Sequence, residues 1–135
     1  MMNYEVFLER QDAHGSVLSC KDAELTVDTD ATGRTDAFNP AELLLAALAG
    51  CIAKGIERVA PMLQFHYTGL YVTVRGERQD TPPRMGRIEY TIEVTTDEND
   101  RRLELLHENV KKYGTVYNTL AASTHVSGTL GRTKA

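Results

Sequence analysis

Cys51 is the side chain in this 135-residue sequence with the chemistry of a nucleophile and a setting that repays attention. A cysteine reacts as its thiolate, and that form needs a neighbouring cation and access to the reactant. Cys51 closes the run Asn39-Pro-Ala-Glu-Leu-Leu-Leu-Ala-Ala-Leu-Ala-Gly-Cys, which reads as the first half of a helix. It stands roughly three turns from the helix start, and the field of a helix N-terminus fades within the first turn. Composition alone therefore makes Cys51 an inert buried thiol unless an arginine packs against it. Three charged residues are in range by sequence. Arg34, in the loop before the helix, could fold back over it. Glu42 lies two and a half turns from Cys51, off its face, and is explained as a capping carboxylate. Arg58 is near the Cys51 face but toward the far end. Cys20, the other cysteine, reads as a half-buried strand thiol, and it could pair with Cys51 only if the two Cα atoms came within about 7 Å.

The remaining residue types exclude other chemistry. His14, His66, His107 and His125 are far apart, with no HxxxH or HExxH spacing and no cysteine knuckle, so neither a metal nor a cofactor is expected. No histidine and aspartate stand in an arrangement suggesting a nucleophilic triad.

A long helix must position Cys51, and the sequence supplies one. Asn39 caps it, Pro40 suits its first position, and Glu42 completes a capping box. It runs to a stop before Pro61 and is apolar on nearly every face up to Ala53. A helix apolar all round is buried all round. Ala46, Ala47, Ala49, Gly50 and Ala53 let another backbone approach closely. So short a chain has difficulty enclosing that helix, and a second subunit is the simplest cover.

Strands surround the helix. Asn3 to Glu9, Ser16 to Ser19 and Ala23 to Val27 carry strand composition or alternation, with a turn at Asp12-Ala-His-Gly15. Asp28 to Phe38 is a polar loop centred on Gly33. Gly69 to Arg78 is a strand. After Thr81-Pro-Pro83, Arg87 to Thr95 sends Ile88, Tyr90, Ile92 and Val94 to one face, as an antiparallel strand with one solvated side. Asp97 to Tyr113 is an amphipathic helix with the stripe Leu103, Leu106 and Val110, ended by Gly114 in a left-handed conformation. Val116 to Ser123 forms a short helical turn, and His125 to Leu130 a last strand. The order predicts one α+β domain over residues 1–135.

Size and charge narrow the class further. A mass of 15.0 kDa fits one domain. The net charge of −4 leaves no dominant basic patch, which argues against nucleic acid as a partner. The longest apolar run, Leu43 to Ala53, is too short to cross a membrane, which takes about 20 residues. No secretory leader is read at the N-terminus, and the expected location is the cytoplasm.

The run Asn39 to Cys51 closely resembles the central helix of the OsmC/Ohr family. Gly69-Leu-Tyr-Val-Thr-Val-Arg-Gly-Glu77 resembles the strand that follows it. Lys112-Tyr-Gly-Thr-Val-Tyr-Asn-Thr-Leu120 resembles the family's second-cysteine loop. The pieces keep their order and spacing over almost the whole chain. The resemblance implies an OsmC-like α+β fold with antiparallel sheets and a long buried central helix, in an intertwined homodimer. It also implies a thiol peroxidase acting on organic hydroperoxides, in defence against oxidative stress. There a peroxidatic cysteine becomes a sulfenic acid, a second cysteine closes a disulfide, and an external dithiol, in some members a lipoyl group, reopens it. An arginine and a glutamate activate the first cysteine.

Carried over residue by residue, the peroxidatic cysteine is Cys51. The glutamate is Glu42, one place later than in peroxidase members, as in a looser OsmC-like branch. The nearest arginine is Arg34. The second cysteine is replaced: where the family has a Cys-Pro-Val-like triplet, this sequence has Gly114-Thr-Val. Two readings follow. One is a one-cysteine peroxidase, its sulfenate resolved by an external thiol or dithiol or by Cys20. The other is a catalytically impaired dimer that binds an apolar small molecule in the cleft between subunits. A different reaction at Cys51 ranks last.

Overall fold

The computed structural model describes residues 1–133 of the chain. They form two compact units, residues 1–44 and the chain from Leu45 onward.

The N-terminal unit is a meander of β1 (Phe7–Asp12), β2 (Gly15–Cys20) and β3 (Ala23–Asp28), antiparallel throughout. Asp12 makes the first turn by accepting from the backbone N–H of His14 at 2.7 Å and of Gly15 at 3.1 Å. Lys21, at φ 56°, makes the second. The polar loop after β3 is shaped by carboxylates. Asp28, buried, accepts from the amides of Asp30 and Arg34, and Asp30 from the amide and hydroxyl of Thr32. His14 Nδ1 sits 2.6 Å from Asp30, which helps to hold that carboxyl down at about 2. Gly33 takes a positive φ of 85° in this loop, a region that suits glycine. Every residue of β1 is exposed, and Tyr4, Val6, Phe7, Leu8 and Leu25 offer apolar surface to solvent.

Helix α1 (Pro40–Leu63) opens with the expected capping box. Asn39 Oδ1 accepts from Glu42 N at 2.8 Å, and Glu42 Oε1 accepts from Asn39 N at 2.9 Å. The helix does not stop before Pro61. It includes that proline in its last turn and ends at Leu63. A proline so near the end interrupts the ladder only at the Glu57 carbonyl. Beyond it, the Arg102 guanidinium donates to the carbonyls of Leu63 and Gln64.

In the unit from Leu45 onward, β4 (Gly69–Asp80) and β5 (Pro83–Thr95) form a long hairpin through Thr81-Pro82. Helices α2 (Asp100–Tyr113) and α3 (Thr115–Ala121) then lead to β6 (His125–Thr133). The strand order is β4-β5-β6, and β6 runs parallel to β5. The expectation of antiparallel sheets is corrected there: the two-helix crossover returns the chain to the end of the sheet where β5 began, as a parallel pairing requires. Helix α2 also starts later than Asp97. Its cap is Asn99, whose side chain accepts from Arg102 N at 3.0 Å, while Glu98 accepts from the amide of His66 and the guanidinium of Arg102.

Ile88, Tyr90, Ile92 and Val94 of β5, Leu103, Leu106 and Val110 of α2, and Leu48, Ile52, Ile56 and Val59 of α1 make one core. The i, i+4 and i, i+3 spacing of the α1 residues gives the helix a single buried stripe. Ala47 and Gly50 lie on its open side. The helix is therefore not buried all round within one chain, because one sheet and one packed helix cover only one side of it.

Candidate functional site

Cys51 sits on α1 beside the buried stripe and is itself half-buried. Two contacts show what lies against it. A Cβ built on Gly55 would meet Val110 Cγ1 at 3.4 Å, and a Cβ built on Gly114 would lie 3.3 Å from Cys51 Sγ. Cys51 and Gly55 are one helical turn apart on α1, and Val110 and Gly114 are one turn apart at the end of α2. The C-terminal end of α2 thus lies along the Cys51–Gly55 edge of α1, and the missing side chains let the two backbones close in.

Gly114 joins α2 to α3. It is buried, and its amide donates to the Lys111 carbonyl at 3.5 Å, a long bond. Its backbone is at φ −79°, ψ 110°, not the left-handed conformation expected of a terminating glycine. Any residue adopts those angles. Glycine relieves crowding here, since a Cβ would also lie 3.0 Å from the Val110 carbonyl oxygen and 3.1 Å from Tyr117 Cβ, and those neighbours would have to give by a few tenths of an ångström.

Past Tyr117 the structure holds a polar pair that sequence reading did not single out. Tyr90, on the inward face of β5, places its hydroxyl 2.6 Å from His107 Nε2 on α2. Its ring meets His107 and Tyr117 edge-on, with centroids 5.6 and 6.4 Å away. Gly128, opposite Tyr90 on β6, lies under the ring, where a Cβ would collide with it. Burial, with Tyr117 beside it, pushes the Tyr90 hydroxyl up to about 12, so it keeps its proton and can donate to His107 in the tautomer whose Nε2 is bare. Burial holds His107 below the ordinary imidazole range; Lys111 adds to this and Glu108 opposes it. A signal was present. A tyrosine in the place of an aliphatic residue on an inward strand face needs a polar partner, and His107 follows Leu103 by one turn on the apolar stripe of α2.

Arg34 and Glu42 belong to the N-terminal unit and are engaged there. The Arg34 guanidinium forks onto Asp36, at 2.6 and 2.9 Å, and reaches the His14 carbonyl at 3.4 Å. The Glu42 carboxylate closes the capping box. Cys20 ends β2 opposite Ala23, in the same unit, and Arg58 is exposed on α1. Among the described residues no group of three or more His, Cys, Asp or Glu side chains is arranged to hold a metal ion, and no helix is long and apolar enough to cross a membrane.

Comparison with known proteins follows the same lines. The sequence profile described as OsmC-like protein matches residues 29–128. Among curated proteins none matches by sequence. An OsmC-like protein from Mycoplasma pneumoniae superposes with a TM-score of 0.87 at 18% identity, over 99% of this chain and 98% of that one. The organic hydroperoxide resistance protein OhrB of Bacillus subtilis superposes at 0.70, with 14% identity over 96% and 98% of the two chains. An organic hydroperoxide resistance protein from Legionella pneumophila also gives 0.70, at 17% identity over 98% of each chain.

Proposed function

The chain belongs to the OsmC-like family, and on that premise we propose that it is a thiol-dependent organic hydroperoxide reductase in which Cys51 is the peroxidatic residue. The Cys51 thiolate attacks the terminal oxygen of an alkyl hydroperoxide. The O–O bond breaks, the alkoxide takes a proton and leaves as the alcohol, and Cys51 becomes a sulfenic acid. An external thiol condenses with the sulfenic acid, giving a mixed disulfide and water. A second thiol, or the other arm of a dithiol, exchanges with that disulfide and returns Cys51 to the thiol.

The observation that carries the reading is the approach of Gly114 to Cys51 Sγ. The resemblance assigns the resolving cysteine to position 114, and that backbone lies within disulfide range of the sulfur although the side chain is gone. Arg34 and Glu42 enter the proposal as the activating pair. One observation favours the second reading, an impaired dimer that binds an apolar molecule: the Arg34 guanidinium is taken up by Asp36.

A homodimer is part of the proposal. The exposed apolar residues of the N-terminal unit and the open side of α1 supply surface for it, and the interface should exceed roughly 2,000 Å², as obligate dimers do. A stable folded monomer in sedimentation at micromolar concentration is incompatible with this.

The deciding assay is consumption of cumene hydroperoxide, tert-butyl hydroperoxide and hydrogen peroxide with monothiol and dithiol reductants. Cys51→Ser should abolish consumption, and Cys20→Ser should keep most of it. Arg34→Ala and Glu42→Gln should each slow Cys51 oxidation with little change in melting temperature. Undiminished turnover in Cys51→Ser rules the proposal out.

A further inference from the structure

The geometry points to Tyr90 and His107 as positioning residues that hold the Gly114 joint against the Cys51 sulfur and release it when His107 takes up a proton. Tyr90 touches both helices that meet at Gly114. Its hydroxyl is bonded to His107 of α2, and its ring packs on Tyr117 of α3. Tyr117 Cβ is in turn 3.1 Å from the Cβ position at Gly114, which is 3.3 Å from Sγ. The other ties at the joint are few: Asn118 Nδ2 donates to the Lys112 carbonyl at 3.2 Å, and Val116, Tyr117 and Leu120 are partly buried against the core. Helix α3 buries none of its residues, has no side-chain cap at its start, and follows the long Gly114 amide bond. Fixing Tyr90 on Gly128 therefore fixes the backbone that walls the sulfur.

The release follows from what surrounds His107. Tyr90 faces it from β5, Lys111 and Glu108 flank it on α2, and Tyr117 of α3 closes the far side of the Tyr90 ring. With Nε2 bare, the neutral imidazole accepts a hydrogen bond from the Tyr90 hydroxyl. An imidazolium in that half-buried place loses part of its hydration, has Lys111 beside it and no longer accepts at Nε2, so protonation drives the ring toward solvent and the bond donated by Tyr90 is lost.

The test reads the sulfur directly, so it is separate from the proposed peroxidase activity. It uses N-ethylmaleimide and the full chain carrying Cys20→Ser, which leaves Cys51 as the single thiol. Each rate is divided by that of the same chain without the second substitution, and the pH dependence of the thiol itself cancels. Tyr90→Phe should react about 2- to 10-fold faster at pH 7.5, the range of one lost hydrogen bond. The ratio should fall toward one as the pH drops below 6.5 and through the lowered folded-state value of His107, where both proteins are released. His107→Gln offers an acceptor that does not titrate. Its ratio should be close to one at pH 7.5 and below one in acid. A folded Tyr90→Phe with a ratio of one at pH 7.5, or with the same ratio at every pH, overturns the inference. If Tyr90→Phe does not fold, a flat His107→Gln ratio overturns it equally. Failure of wild-type Cys51 to react with hydroperoxides would sink the proposed function and leave this result standing.

Discussion

Replacing Gly114 by cysteine puts the sulfur that this chain lacks where the geometry says it fits. Across a disulfide, Cβ of one residue lies about 3 Å from the sulfur of the other, given an S–S bond of about 2.04 Å. A Cβ at Gly114 starts 3.3 Å from Cys51 Sγ, so closing the bond takes a shift of a few tenths of an ångström. Backbone strain does not oppose the change, because φ is −79°. Crowding does. The new Cβ lies 3.0 Å from the Val110 carbonyl oxygen and 3.1 Å from Tyr117 Cβ, and overpacking of that kind costs about 1–3 kcal/mol. The crosslink closes a loop of about 60 residues and stabilises by about 4 kcal/mol in the chain-entropy account.

The reduced variant should therefore melt below wild type, and the oxidised variant above its own reduced form, by on the order of 10 °C. One equivalent of cumene hydroperoxide should give, in intact-mass and non-reducing peptide analysis, a 51–114 disulfide with two hydrogens lost and no sulfinic acid at Cys51. Wild type should stop at the sulfenic acid at that dose, overoxidise to the sulfinic acid on a second equivalent, and depend wholly on added thiol for recovery. A folded, oxidised Gly114→Cys protein without that crosslink refutes the assignment of position 114 and, with it, the observation on which the peroxidase reading leans.

Three further outcomes check the architecture. Gly128→Ala should destabilise by about 1–3 kcal/mol, read as a drop in denaturation midpoint, because its methyl runs into the Tyr90 ring. Asn39→Ala opens the capping box and should lower stability by about 1 kcal/mol, with a melting temperature about 3–5 °C lower. His107 has its folded-state value held below 6.5 by burial and Lys111, so the unfolded chain binds the proton first. The stability this contributes is full above about pH 6.5 and is lost as the pH falls through the folded value. The melting-temperature advantage of wild type over His107→Gln should therefore shrink between pH 7.5 and 5.

Local chemistry in the sequence reported local structure well. The Asn39–Glu42 box, the alternation of Ile88, Tyr90, Ile92 and Val94, and the Leu103, Leu106 and Val110 stripe each follow from residues within a few positions of one another. The parallel pairing of β6 with β5 did not, since strand direction depends on where a two-helix crossover returns the chain. The start of α2 is ambiguous in sequence because Asp97, Glu98 and Asn99 are all polar residues that can face a helix N-terminus. Only the fold decides that Glu98 is taken up by His66 and Arg102 and that Asn99 does the capping. In the candidate site, the motif anticipates the nearness of position 114 to Cys51. The pairing of Arg34 is not legible there, because a guanidinium in a polar loop pairs with whatever carboxylate the loop brings to it, here Asp36.

Three glycines carry the geometry around Cys51, and none does so through a positive φ; among the described residues only Gly33 is a glycine of that kind. Gly55 admits the Val110 side chain, Gly114 admits the approach to the sulfur, and Gly128 admits the Tyr90 ring. Together they link the sheet, through Tyr90, to the joint of α2 and α3, and that joint to α1. In each case the missing atom is a Cβ that a neighbour from another element would meet. This is why the role of Gly114 could not be read from its place at the end of a helical pattern. A terminating glycine and a close-approach glycine are the same letter in sequence, and what separates them is the φ of the residue and the identity of the atoms 3 to 4 Å away. At position 114 those atoms include the one sulfur on which the proposed chemistry depends.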